Sequence, residues 1–191
     1  MMKRSLYVGL VAITALVACS STPQPVFYTL DNGAASVTQS GKTPSVVLTQ
    51  TNLPELIDRP QLIVRTGNNQ VRISEQHRWA EPLRREIPRV LANDLGQLLG
   101  SSRVVAMPID AQGFSADFRV SLDIQRLEAS DKNGADIDLL WRIEDRQGKT
   151  ITGRSTLREA TTGEDYGALV AAQRRALSRV AVDIAERIRQ P

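Results

Sequence analysis

The sequence predicts an α/β protein (an α+β sandwich), with a mixed, largely antiparallel β-sheet packed against two main helices. Three observations carry this expectation. Phe118, Val120, Leu122, Ile124 and then Ile137, Leu139, Trp141, Ile143 alternate with polar residues, the pattern of antiparallel strands with one buried face. Leu83 to Leu98 and Leu169 to Ile188 instead place their apolar residues at helical spacing,. Asn133-Gly134 and Gln147-Gly148 supply turns between the alternating runs,.

Along the chain, Val26 to Leu30 reads as a first strand and Asp31 to Pro44, rich in Gly, Ser, Thr and Ala, as a loop,. Ser45 to Leu53 is strand-like, Pro54 to Pro60 is a proline-bounded turn, and Gln61 to Thr66 is a strand. Gly67-Asn68-Asn69 marks a hairpin whose returning arm is Gln70 to Glu75,. The first helix carries Leu83, Ile87, Val90, Leu91, Leu95 and Leu98, and Gly100 suits its end,. Pro88 removes a helical hydrogen bond and crowds the preceding turn, so a kink or a regular start at Pro88 is expected. Arg103 to Met107 is a short strand, and Thr150 to Ala160 gives a third arm to the alternating pair. Asp165 can cap the last helix, whose stripe Leu169, Val170, Leu177, Val180, Ile184 and Ile188 is broken by Gln173,. Arg174, Arg175 and Arg179 fall mostly on its outer faces.

The N-terminus determines where such a domain is expected to reside. Met1-Met2-Lys3-Arg4 is basic, and Leu6 to Ala18 is uncharged and nearly all apolar, the layout of a secretory leader. The run is shorter than the roughly 20 residues a membrane span needs. Leu16-Val17-Ala18-Cys19 resembles the bacterial lipobox, and Cys19 is the only cysteine in the chain. What the lipobox implies is diacylglycerol transfer to the Cys19 thiol, cleavage after Ala18, and acylation of the new amino group. Ser20 and Ser21, with no aspartate after the cysteine, imply sorting to the outer membrane. The alternative is an ordinary leader that happens to end near a cysteine. The expected organisation is therefore a leader over 1–18, an acylated cysteine and tether over 19–25, and a single domain over 26–191. At ~3.3–3.6 Å per extended residue, Ser20 to Pro25 reaches only roughly 20–25 Å, which keeps the domain near its membrane.

Charge and chemistry exclude more than they suggest. The chain has 24 Lys+Arg against 21 Asp+Glu, and loss of Lys3 and Arg4 with the leader brings the two near balance. Such a balance is a poor match to nucleic acid, and no basic run is interleaved with stacking aromatics. His77 is the only histidine; it precedes the first helix and reads as a surface or loop residue. No Gly-x-Ser-x-Gly elbow and no GxxxxGK[ST] loop is present,. Asp136 and Asp138 share a strand face, where solvated carboxylates are the rule. No catalytic residue, no metal ligand set and no cofactor beyond the covalent N-acyl diacylglycerol is expected.

Several stretches resemble the PqiC-type, ABC-type transport auxiliary lipoproteins of the outer membrane. They are the lipobox with Phe27-Tyr28-Thr29-Leu30, Leu53-Pro54 with Ile57 to Arg65, Arg78 to Leu83, and the helix around Ala176 to Ala185. The resemblance implies a non-enzymatic subunit of an intermembrane lipid-transport system, anchored on the periplasmic face of the outer membrane. Its partner would be an MCE-domain conduit protein, and a homo-oligomer around the conduit mouth fits that role. Candidate contact residues are Asp58, Arg59, Pro60, Gln61, Trp79, Glu81 and Pro82, for which a purely structural role is the competing reading. Two other functions stay open: an assembly lipoprotein for an outer-membrane protein, and a small hydrolase using His77.

Overall fold

The computed structural model describes residues 23–31, 33, 43–106, 115–130 and 134–190, so the leader, Cys19 and Met107 lie outside the described residues. The elements, in chain order, are β1 (Val26–Tyr28), β2 (Val46–Asn52), β3 (Gln61–Gly67), β4 (Gln70–Trp79), α1 (Leu83–Leu99), β5 (Val104–Ala106), β6 (Phe118–Ser130), β7 (Gly134–Asp145), β8 (Thr150–Glu159) and α2 (Tyr166–Arg189). The strands form one mixed sheet of eight.

β6 is its axis. Period-two alternation buries Val120, Leu122 and Ile124, and a register shift between Ile124 and Arg126 lets Leu127 and Ala129 continue the buried side,. β7 lies antiparallel along the whole of β6, and β8 lies antiparallel to β7. Because β7 fills one edge of β6, the other strands share the opposite edge. β2 runs parallel to the first half, with Val46 opposite Phe118, and β3 runs parallel to the far end, with Val64 opposite Ala129. The two thus lie in tandem, and Leu53 to Pro60 between them leaves the sheet and returns. β5 pairs with β2, β4 with β3, and β1 joins β4 in parallel.

Both helices cover the same face. Ile87, Leu91 and Leu95 of α1 and Leu177 and Ile184 of α2 pack in one core with Leu122, Ile124, Ile137 and Leu139, each burial worth about 1.5–3 kcal/mol. The opposite face of β6 to β8 is charged and internally paired. Arg158 bonds Asp136 at 2.6 Å and Arg154 bonds Asp138 at 2.5 Å, so this aspartate pair is occupied by salt bridges. Gly153 faces Trp141 in register. A Cβ there would lie 2.1 Å from Trp141 Cζ2, so only glycine lets the indole cross the strand. The indole N–H then donates to Ser155 Oγ at 3.2 Å, and that hydroxyl donates to Asp183 of α2 at 2.5 Å.

Gly100 ends α1 in the left-handed region at φ 63, and Asp165 caps α2 by accepting the Ala168 N–H at 2.7 Å. Four expectations are corrected. Of the two alternatives at Pro88, the regular start there is overturned: α1 starts at Leu83 with Pro88 inside it, because buried Leu83 and Glu86 fasten the turn ahead of the proline. β1 stops at Tyr28, because the backbone after it is captured by α1. β4 runs on through His77 to Trp79, since β1 pairs with its last three residues. Arg174 is not on an outer face: it forks onto Asp94 at 2.7 and 2.6 Å, with 12% of its side chain exposed.

Candidate functional site

The excursion between β2 and β3 brings the segment at Asp58 to Gln61 against the end of β4 and the start of α1. Ile57 plugs the core and is 6% exposed. The Asp58 carboxylate accepts from Arg84 of α1 at 2.5 Å, and Arg84 also donates to the Thr51 carbonyl at 3.2 Å. Arg59 is half-buried, and its Nε has no hydrogen-bond partner among the described residues. The Pro60 carbonyl accepts the Trp79 N–H at 2.7 Å, which stitches the excursion to β4. Gln61 sits opposite Arg78. With Ile57, Trp79, Leu83, Leu127 and the buried Gln173, it lines a cavity of about 10 Å³ where β3 diverges from β6. That volume holds one water at most, and Gln173 Oε1 has no protein partner.

On the other side of the corner, Trp79 is 6% exposed. Glu81 is held by Arg89, which also bonds Asp31 at 2.6 Å. The Gly33 N–H first, then Arg89, hold the Asp31 carboxyl below its usual range. Pro82, exposed, precedes α1 and its carbonyl accepts from Arg85 and Glu86 at 2.9 and 3.1 Å. The seven sequence-selected residues therefore converge on one corner. Asp58, Pro60 and Pro82 face solvent, and Trp79 lies beneath them.

The residue that organises the corner is one the sequence reading passed over. Glu86 is fully buried; its Oε1 accepts the Leu30 N–H at 2.7 Å, the Asp31 N–H at 3.4 Å and the Thr29 hydroxyl. Its signal was available, since Glu86 stands in the apolar stripe between Leu83 and Ile87 and Val90. A carboxylate there must find donors.

His77, expected as a surface or loop residue, is instead a half-buried clamp within β4. Its ring stacks on Tyr166 of α2 with centroids 3.8 Å apart, and its Nδ1 shares a 2.8 Å hydrogen bond with the Tyr28 hydroxyl. Burial, then the charge of Asp165, raises the Tyr28 hydroxyl above its ordinary value. The basic cluster on α2 is likewise engaged within the domain. Arg175 donates to the Ala160 carbonyl at 2.7 Å, and Arg179 meets Glu159 at 2.6 Å. Among the described residues no three His, Cys, Asp or Glu side chains converge on a metal position, and no helix is long and apolar enough to cross a membrane.

The sequence matches the family described as the ABC-type transport auxiliary lipoprotein component over residues 28–185. The chain belongs to that family. It is a family of transport auxiliary components and not a class of enzymes. A search of curated proteins gives no match. Among solved structures, an uncharacterized protein superposes with a TM-score of 0.70 at 16% identity, covering 87% of this chain and 99% of its own. A DUF330-family protein from Xanthomonas campestris gives 0.63 at 17% identity, with 84% and 92% covered. Both establish the fold. The PelC dodecamer from Paraburkholderia phytofirmans gives only 0.40 at 12% identity, with 76% and 92% covered, a likeness too weak to speak to assembly.

Proposed function

We propose that this chain is an outer-membrane lipoprotein, acylated on Cys19, that docks an MCE-domain lipid conduit on the periplasmic side and thereby supports membrane integrity. The family match over residues 28–185 carries the reading, and Cys19 directly after the leader gives the anchor its chemistry. The corner, with Asp58, Pro60 and Pro82 facing solvent, Arg59, Gln61 and Glu81 at its rim and Trp79 as support, is the contact surface in this reading. Its residues are fastened by ion pairs and backbone bonds, so the surface is presented rigidly and loses little freedom on binding. The outward edge of β8, which pairs with no further strand among the described residues, is available to a second copy in a homo-oligomer. Catalysis has no part in the role.

The full-length protein, tagged at its C-terminus and extracted from membranes, tests both halves. Mass spectrometry of the N-terminal peptide should show a diacylglyceryl, N-acylated Cys19, and MCE-domain proteins should co-purify. A free Cys19 thiol overturns the anchor; recovery of unrelated envelope proteins alone overturns the docking role.

A further inference from the structure

We propose that the sheet edge formed by β1 and the adjoining stretch of β4 rests on the lipid bilayer, with Phe27 and Val26 seated at the boundary between headgroups and acyl chains. This inference rests on the anchoring reading above and adds an orientation to it.

The three most exposed large apolar residues lie at this edge, while Val105, Leu140 and Val182 are exposed on β5, β7 and α2. Phe27 is 59% exposed, Val26 46% and Ile73 40%, and all three belong to β1 and β4. Successive residues of a strand point to opposite faces, so Val26 and Phe27 straddle the edge. Tyr28 turns inward to His77 and Tyr166 on the Val26 side. The apolar surface is therefore the rim of the sheet, where two side chains can enter a bilayer interface while the domain stays in water. A bilayer accepts amphipathic elements in this way to a depth of about 5–10 Å.

Chain length and direction select the occupant. Cys19 precedes Val26 by seven residues, so at ~3.3–3.6 Å per residue β1 lies within about 25 Å of the acylated position. β1 is parallel to β4, with Val26 opposite His77 and Tyr28 opposite Trp79. The chain therefore enters β1 from the end of β4 that carries Ile73. Pairing with a strand from another protein is disfavoured here, because Pro23 and Pro25 stand immediately before β1 and offer no N–H,.

The lone cysteine makes the test direct. With the Cys19 sulfur in a thioether, the Phe27→Cys variant of the mature lipoprotein carries one free thiol, which is labelled with the fluorophore NBD. Glu144→Cys, on the exposed face of β7 opposite Arg119, serves as the distant control. Each is reconstituted into vesicles of phosphatidylethanolamine and phosphatidylglycerol containing a doxyl-labelled lipid, after circular dichroism confirms an unchanged fold. The expected result is a blue-shifted emission and several-fold stronger doxyl quenching at position 27 than at position 144. Equal quenching at the two positions overturns the proposed orientation, as does the absence of quenching at position 27. A blue shift at position 27 that needs no lipid and grows with protein concentration assigns the edge to a second copy and also overturns it. NBD incorporation into the unsubstituted protein marks a free Cys19 thiol, a separate result that removes the anchoring reading itself.

Discussion

Glu86→Ala removes a single acceptor atom that holds the chain where β1 ends. The bond from the buried Leu30 N–H, at 2.7 Å, is charge-assisted and worth about 1.5–3 kcal/mol, and the Thr29 hydroxyl adds about 1 kcal/mol. The Asp31 N–H at 3.4 Å is too long to add much,. The substitution also deletes Oε2, a buried oxygen with no partner, which returns about 1 kcal/mol. The expected net loss is about 1.5–3 kcal/mol, read as a lower urea midpoint at unchanged slope. Hydrogen exchange should show the loss locally, with the Leu30 amide and β1 exchanging faster than β6 and β7. Glu86→Gln keeps an acceptor for Leu30 and should lose about half as much. An unchanged midpoint for Glu86→Ala, or a Leu30 amide protected as before, would refute the assignment of this carboxylate as the fastening of β1.

Two further outcomes are expected. Asp94→Ala leaves the half-buried Arg174 without its carboxylate and should destabilise by about 3–5 kcal/mol. Asp94→Ala with Arg174→Met should recover part of that loss, and thermal or urea unfolding of the single and double variants checks it. Asp117 is held below the usual carboxylate value of 3.8, first by the Ser45 N–H and then by the Ser45 hydroxyl; Asp138 is lowered mainly by its bond from Arg154. A carboxyl lowered in the fold contributes stability that is complete above its unfolded pKa and lost as pH falls through the folded one. Stability should thus be level from neutrality to about pH 5 and fall below about pH 4. Asp117→Asn should flatten that acid limb in pH-dependent urea melts, and an unaltered limb would contradict the assignment.

The legible part of the fold was the part whose partners are close in sequence. β6, β7 and β8 form a meander with one wet face, so Leu122, Ile124, Leu139 and Ile143 alternate openly with charged residues, and Asn133-Gly134 and Gln147-Gly148 stand between the runs. The tandem seating of β2 and β3 was not legible. Both are parallel to a strand far along the chain, and parallel pairing leaves no local turn to announce it. The same distance hid the true end of β4, because His77 is fixed by Tyr28 and Tyr166 from other elements. At the corner, the resemblance pointed to Asp58, Arg59, Pro60 and Gln61 in one loop and Trp79, Glu81 and Pro82 in another, without showing that the loops are neighbours in the fold. Their fasteners, Arg84, Arg89 and Glu86, were missed, since ionic residues near a helix start read as solvated until the core around them is known. Asp94 inside an apolar stripe carried the same unread signal as Glu86.

The tandem arrangement also fixes how the domain bears load. Among the described residues, the group of β1, β4 and β3 is joined to β6 by strand pairing at only Val64 with Ala129 and Arg65 with Ser130. A small cluster of Val64, Ala129 and Leu169 backs that seam, and Arg65 forks onto Glu128 across it at 2.5 and 2.6 Å. Within the sheet, tension passing from this group to the β6 to β8 half crosses these two register positions, with the contacts of Tyr28 and His77 to Tyr166 of α2 beside them. β6, β7 and β8 are instead zipped over long antiparallel ladders, so between these two parts of the sheet the short seam is where strain concentrates.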